Sequence, residues 1–83
     1  MDKYSRLDEV LVSLFNDIVE IETRAIIESD FSDITNNDMH VIDAIGIGVK
    51  KNMSTVAARL SVTIGSLTTA VNALVRKGYV NRE

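Results

Sequence analysis

The stretch Asn52–Asn81, NMSTVAARLSVTIGSLTTAVNALVRKGYVN, constrains this chain most, because it reads as two short helices joined by a tight turn. Asn52 can cap a first helix over residues 52–60, whose apolar Val56, Ala57 and Leu60 recur about one turn apart. Ser61 and Val62 break it, and Thr63 is a good N-cap for a second helix over residues 63–77. Leu67, Ala70, Val71 and Leu74 then share one side of that helix at the spacing of a buried stripe. The opposite side carries Ser66, Thr68, Thr69, Asn72 and Arg76, all able to hydrogen-bond and none acidic. A helix meant only for solvation normally carries Glu and Lys there. Hydroxyls and amides suit a helix that enters a DNA groove, where a carboxylate would face phosphates. Gly78 fits the left-handed position that ends a helix, and Tyr79-Val80 opens an extended segment. Helix, turn, helix, glycine, strand is the order of a winged helix-turn-helix. The pattern predicts an all-α, winged helix-turn-helix-type domain.

Eighty-three residues make one small domain with a marginal core. The chain has no cysteine, hence no disulfide, thiolate nucleophile or cysteine-based zinc site, which fits a reducing cytoplasm. Its N-terminus, MDKYSRLDEV, is polar and acidic, unlike a signal peptide. No apolar run approaches the roughly eighteen residues of a membrane span, so the expectation is a cytoplasmic chain without a membrane partner.

A net charge of −3 looks wrong for a DNA-binding chain until its distribution is read. Residues 1–45 hold three basic against eleven acidic side chains, a balance of −8. Residues 46–83 hold six basic against one acidic, a balance of +5. A phosphate-binding surface needs positive potential only where it meets the backbone. The positive half is the one with the helix-turn-helix pattern.

Upstream, the periodicity predicts a long N-terminal helix over residues 5–27. Leu7, Leu11, Leu14, Ile18, Ile21 and Ala25 recur at alternating steps of four and three, a heptad seam. Val10, Phe15 and Val19 widen the stripe beyond what a small domain covers, which suggests packing on a partner subunit. Residues 28–34 read as a polar loop. Thr35 with Asp38 then forms a capping-box pattern opening a second helix over residues 35–45, with Met39, Ile42 and Ile45 expected inward. Gly46-Ile47-Gly48 stops that helix, and Val49-Lys50-Lys51 suits a short strand.

Catalysis finds little support. His40 is the single histidine, and no serine sits in a nucleophile-elbow sequence, so no enzyme and no cofactor is expected. His40 with Asp43 and nearby Asp38 is too sparse for a zinc site, so no metal is expected either. Gly46-Ile47-Gly48 lacks the third glycine and the preceding strand of a dinucleotide fingerprint. Thr68-Thr69 and Gly65 lower helix propensity, so something besides packing must favour them. Groove-facing hydroxyls would explain the threonines. A close approach to DNA backbone, or to the first helix, would explain the glycine.

These residues resemble the MarR family of bacterial transcriptional regulators. Met53-Ser54, Val56-Ala57 and Arg59-Leu60 look like that family's first helix-turn-helix segment. Thr63 to Lys77, followed by Gly78-Tyr79-Val80, looks like its recognition helix and the lead-in to its wing. Asp38-Met39-His40, Ile42 to Gly46, Val62-Thr63, Gly65 and Thr68-Thr69 look most like the branch that represses fatty-acid synthesis genes. The resemblance implies a homodimeric repressor on a pseudo-palindromic operator of double-stranded DNA. It also implies an acylated carrier protein as effector. It would bring Thr63, Ser66, Thr68, Thr69 and Asn72 to bases, and Asn52, Ser54, Thr55, Arg76 and Arg82 to phosphates. The family's wing hairpin and C-terminal dimerisation helices would follow Glu83, so this chain is expected to stop before its wing. Dimerisation would then fall to Leu7, Leu11, Leu14, Ile18 and Ile21. The alternative reading is a helical interaction module that uses this seam and binds no nucleic acid.

Overall fold

Ile18-Val19-Glu20-Ile21 contains three β-branched residues in four, a composition that favours a pleated strand. In the computed structural model, which describes residues 17–83, these four residues form strand β1 (Ile18–Ile21). It is followed by α1 (Thr23–Glu28), α2 (Asn36–Ile45), β2 (Lys50–Asn52), α3 (Met53–Leu60), α4 (Ile64–Lys77) and β3 (Val80–Arg82). The strands form an antiparallel sheet of order β2–β1–β3. The domain is therefore mixed α/β, with four helices and three strands among the described residues, and the all-α expectation is wrong.

The error lies in the N-terminal helix. Ile18 and Ile21 were expected on one helical seam, but side chains on a strand alternate faces. Val19 and Ile21 point into the core, while Ile18 and Glu20 are half-buried. Val19 sits between Lys51 of β2 and Arg82 of β3, so the central strand satisfies both neighbours. Pairing on two sides outweighs the helical period of an isolated segment. Among the described residues, the short α1 is the part of the expected helix that is helical. Leu7, Leu11 and Leu14, with Val10 and Phe15, lie outside the described residues.

The other helices carry their signals locally. Thr35 caps α2 with a complete capping box, its hydroxyl accepting from the Asp38 amide (3.0 Å) while Asp38 accepts from the Thr35 amide (3.1 Å). The buried residues of α2 are Asp38, Val41, Ile42, Ala44 and Ile45, which turns Met39 outward to 47% exposure rather than inward. Asn52 and Thr63 cap α3 and α4 through the amides of Thr55 and Ser66. Gly78 ends α4 at φ 89°, in the left-handed region where a side chain would be strained. Leu67, Val71 and Leu74 pack with Val56, Ile42 and Val19 in one core, and Leu60 and Ala70 lie half-buried at its edge.

A polar clasp fastens the loop before α2 to the end of α4. Lys77 donates to Asp38 (2.8 Å) and to the Asp33 carbonyl (2.5 Å). Tyr79 donates to the Asp33 carboxylate (2.6 Å) and meets the Ser29 hydroxyl (2.9 Å). Burial works to raise the pKa of Asp38, but the Lys77 ammonium and the Thr35 groups outweigh it and hold the carboxyl below its usual value. A depressed folded pKa gives stability that is complete above the unfolded value of about 4 and fades as pH falls through the folded one. Urea midpoints of the native chain should therefore drop on acidification below about pH 4. Asp38→Asn should be less stable at neutral pH and lose less over that acid range. Parallel curves for the two proteins would show that Asp38 contributes nothing to acid sensitivity.

No single helix among the described residues is long and apolar enough to cross a membrane.

Candidate nucleic-acid interface

Helices α3 and α4 meet at a bend of 109°, joined by the three residues Ser61–Thr63. A crossing of about 90–120° across a 3–4-residue turn is the geometry of a helix-turn-helix unit. Ser61 makes the turn possible by adopting the left-handed conformation at φ 57°, and its amide closes α3. Neither helix contains an acidic residue. Ser66, Thr69 and Arg76 lie exposed on α4, and Thr55 lies exposed near the start of α3.

Several of the expected contact residues are engaged within the chain. Asn52 is half-buried, its side-chain oxygen accepting from the Thr55 amide (2.8 Å) and the Ser54 hydroxyl (2.9 Å). These bonds give Asn52 and Ser54 a capping role in the domain itself. Thr63 is exposed, but its hydroxyl caps α4 and donates to Ser66 Oγ (3.0 Å). The Thr68 and Thr69 hydroxyls donate to the carbonyls of Ile64 (2.8 Å) and Gly65 (3.3 Å), one turn back. Each keeps its acceptor lone pairs, so the β-branched pair is satisfied on its own helix without a groove. Thr68 is also half-buried, which leaves Thr69 as the better placed of the two.

Arg82 and Asn72 are joined to each other. Arg82 Nη1 donates to Asn72 Oδ1 (2.6 Å), while its Nε (2.9 Å) and Nη2 donate to Asp17 Oδ2. Asp17, just before β1, is the participant that sequence reading did not find. Nothing local marks it, because its partner lies 65 residues away.

The charge balance also reads differently in three dimensions. The acidic and basic halves of the sequence pair with one another, Asp17 with Arg82 and Asp38 with Lys77. Lys50 meets Glu83, and the Lys51 ammonium donates to the Ala44 carbonyl at the end of α2. Among the described residues, Arg59 on α3, Arg76 on α4 and Lys51 on β2 pair with no carboxylate.

Gly65 has one explanation removed. A methyl group built there would meet only the Thr63 hydroxyl, at 4.0 Å, so close packing against α3 does not require glycine. His40 is exposed on α2 and lines an open groove with Asn37, Leu60 and Ser66. No group of three or more His, Asp or Glu side chains able to hold a metal occurs among the described residues. Asp38, one of the two acids considered for His40, is engaged by Lys77 and Thr35. No family model, no curated protein and no solved structure matches this chain.

Proposed function

We propose that this domain binds double-stranded DNA through α3 and α4, as a transcriptional regulator of the MarR type acting as a cytoplasmic repressor. The observation that carries the reading is the 109° helix pair on a three-residue turn, with an exposed α4 face that holds hydroxyls and cations but no acid. Ser66, Thr69 and Arg76 are the side chains placed to approach the duplex, with Thr55 and Arg59 nearer its phosphates. Gly65 belongs to the same face, and its open surroundings suit a helix start pressed against a nucleic-acid backbone. By the same resemblance the working form is a homodimer on a pseudo-palindromic operator, answering to an acylated carrier protein.

The reading is tested with operator fragments selected from a random duplex pool. Ser66→Ala with Thr69→Ala should weaken binding by about 1–3 kcal/mol while the urea midpoint stays near that of the native chain. Gly65→Ala should stabilise the fold by about 0.4–1 kcal/mol and still weaken binding, since the added methyl meets DNA rather than protein. Failure to select any duplex, or unchanged affinity in all these variants, would turn the assignment toward a protein-interaction module. That second reading draws on the exposed apolar side chains Ile27, at 75%, and Ile47, at 57%.

A further inference from the structure

The guanidinium of Arg82 is held on two edges by groups from opposite parts of the chain. Asp17 takes Nε and Nη2 on a single carboxylate oxygen, and Asn72, midway along α4, takes Nη1. The Asp17 and Arg82 side chains are both about one-fifth exposed, so the pair is sheltered yet reachable from solvent. The backbone fixes where the carboxylate stands. The Asp17 carbonyl accepts from the Met53 amide (2.9 Å), and the neighbouring Ile18 exchanges two amide hydrogen bonds with Glu83 (2.8 and 3.3 Å). These bonds hold the Asp17 backbone against its neighbours. It is pinned between β2 and β3 beside the α4 face.

A guanidinium edge recognises carboxylate and phosphate oxygens by the same forked donors. We infer that Asp17 stands in for a nucleic-acid phosphate on Arg82, holding down the affinity of the α4 face for duplex DNA. The inference rests on the nucleic-acid reading above and adds an internal competitor to it. A duplex phosphate approaching α4 gains Arg82 only by displacing the carboxylate. Asn72 acts here as a positioning residue: its carbonyl keeps the guanidinium against α4 whichever anion it faces. A neutral side chain at position 17 leaves that placement intact and removes the competing charge.

The test uses the full chain and a mixed-sequence duplex of about 20 base pairs, titrated across a salt series. Asp17→Asn should tighten binding roughly threefold to tenfold at low salt. It should also steepen the slope of log K against log salt by about 0.9, the contribution of one added phosphate contact. Asp43→Asn, on the exposed side of α2, makes the same change in net charge and should shift affinity by less than about twofold. Arg82→Gln added to Asp17→Asn should return the slope to the native value. Asp17→Ser repeats the measurement through a second side chain, and thermal unfolding of each protein confirms that it is folded. Asp17→Asn behaving like Asp43→Asn, or an effect that survives Arg82→Gln, overturns the competitor while native binding upholds the DNA reading. Absence of binding by both native chain and Asp17→Asn overturns the DNA reading and the competitor together.

Discussion

Val19→Asp should leave the chain without a cooperative unfolding transition. Val19 is fully buried in the middle strand, opposite Lys51 on one side and Arg82 on the other. A carboxylate there would be desolvated, and a buried unpaired charge costs about 3–5 kcal/mol. A chain of this length has roughly 4–12 kcal/mol in total. Ile18→Asp is the informative partner, because the strand leaves Ile18 half-buried on the other face. It should weaken the fold but keep a measurable midpoint in urea, followed by far-UV circular dichroism. The helical seam would bury Ile18 and Ile21 together and leave Val19 on its flank. Equal damage from the two substitutions, or greater damage from Ile18→Asp, would restore the helix and remove the central strand.

Leu67→Ala should cost about 2–5 kcal/mol, from lost burial and from the cavity left behind. Leu67 is 1% exposed and belongs to the core that joins α4 to α2, α3 and the sheet. The urea midpoint should fall at an unchanged slope, as expected when stability changes and the exposed area does not. Ser66→Ala, one residue away and exposed, should stay within about 0.5 kcal/mol of the native chain. The contrast fixes the rotation of α4. Were Ser66 the costly position and Leu67 the tolerant one, the face assigned to DNA would be the face turned inward.

Much of the helix-turn-helix segment is legible because its signals are short-range. A cap needs a side-chain oxygen and an amide two or three residues on, and Thr35, Asn52 and Thr63 supply the oxygen. A helix stop needs one residue tolerant of positive φ, and Gly78 is that residue. The apolar stripe of α4 is written at the spacing of its own turns, with Leu67, Val71 and Leu74 all buried. The candidate contact residues were less legible. Exposure of Ser66, Thr69 and Arg76 follows from that stripe, but nothing local says that Asn72 is spent on Arg82.

The sequence by itself determined where α2, α3 and α4 begin, which face of α4 turns inward, and that α3 and α4 carry no acid. Each of these depends on residues within a turn or two of one another. Only the tertiary structure decided that Ile18–Ile21 is a strand, because a strand is completed by partners the sequence does not bring near. Here those partners are β2 and β3, on either side of it in space and far from it along the chain. Tertiary structure likewise decided where the charges stand. An acidic half and a basic half suggested a segregated surface, yet Asp17 reaches Arg82 across 65 positions and Asp38 reaches Lys77 across 39. Opposite charges attract through space, and only the fold sets which of them come within reach.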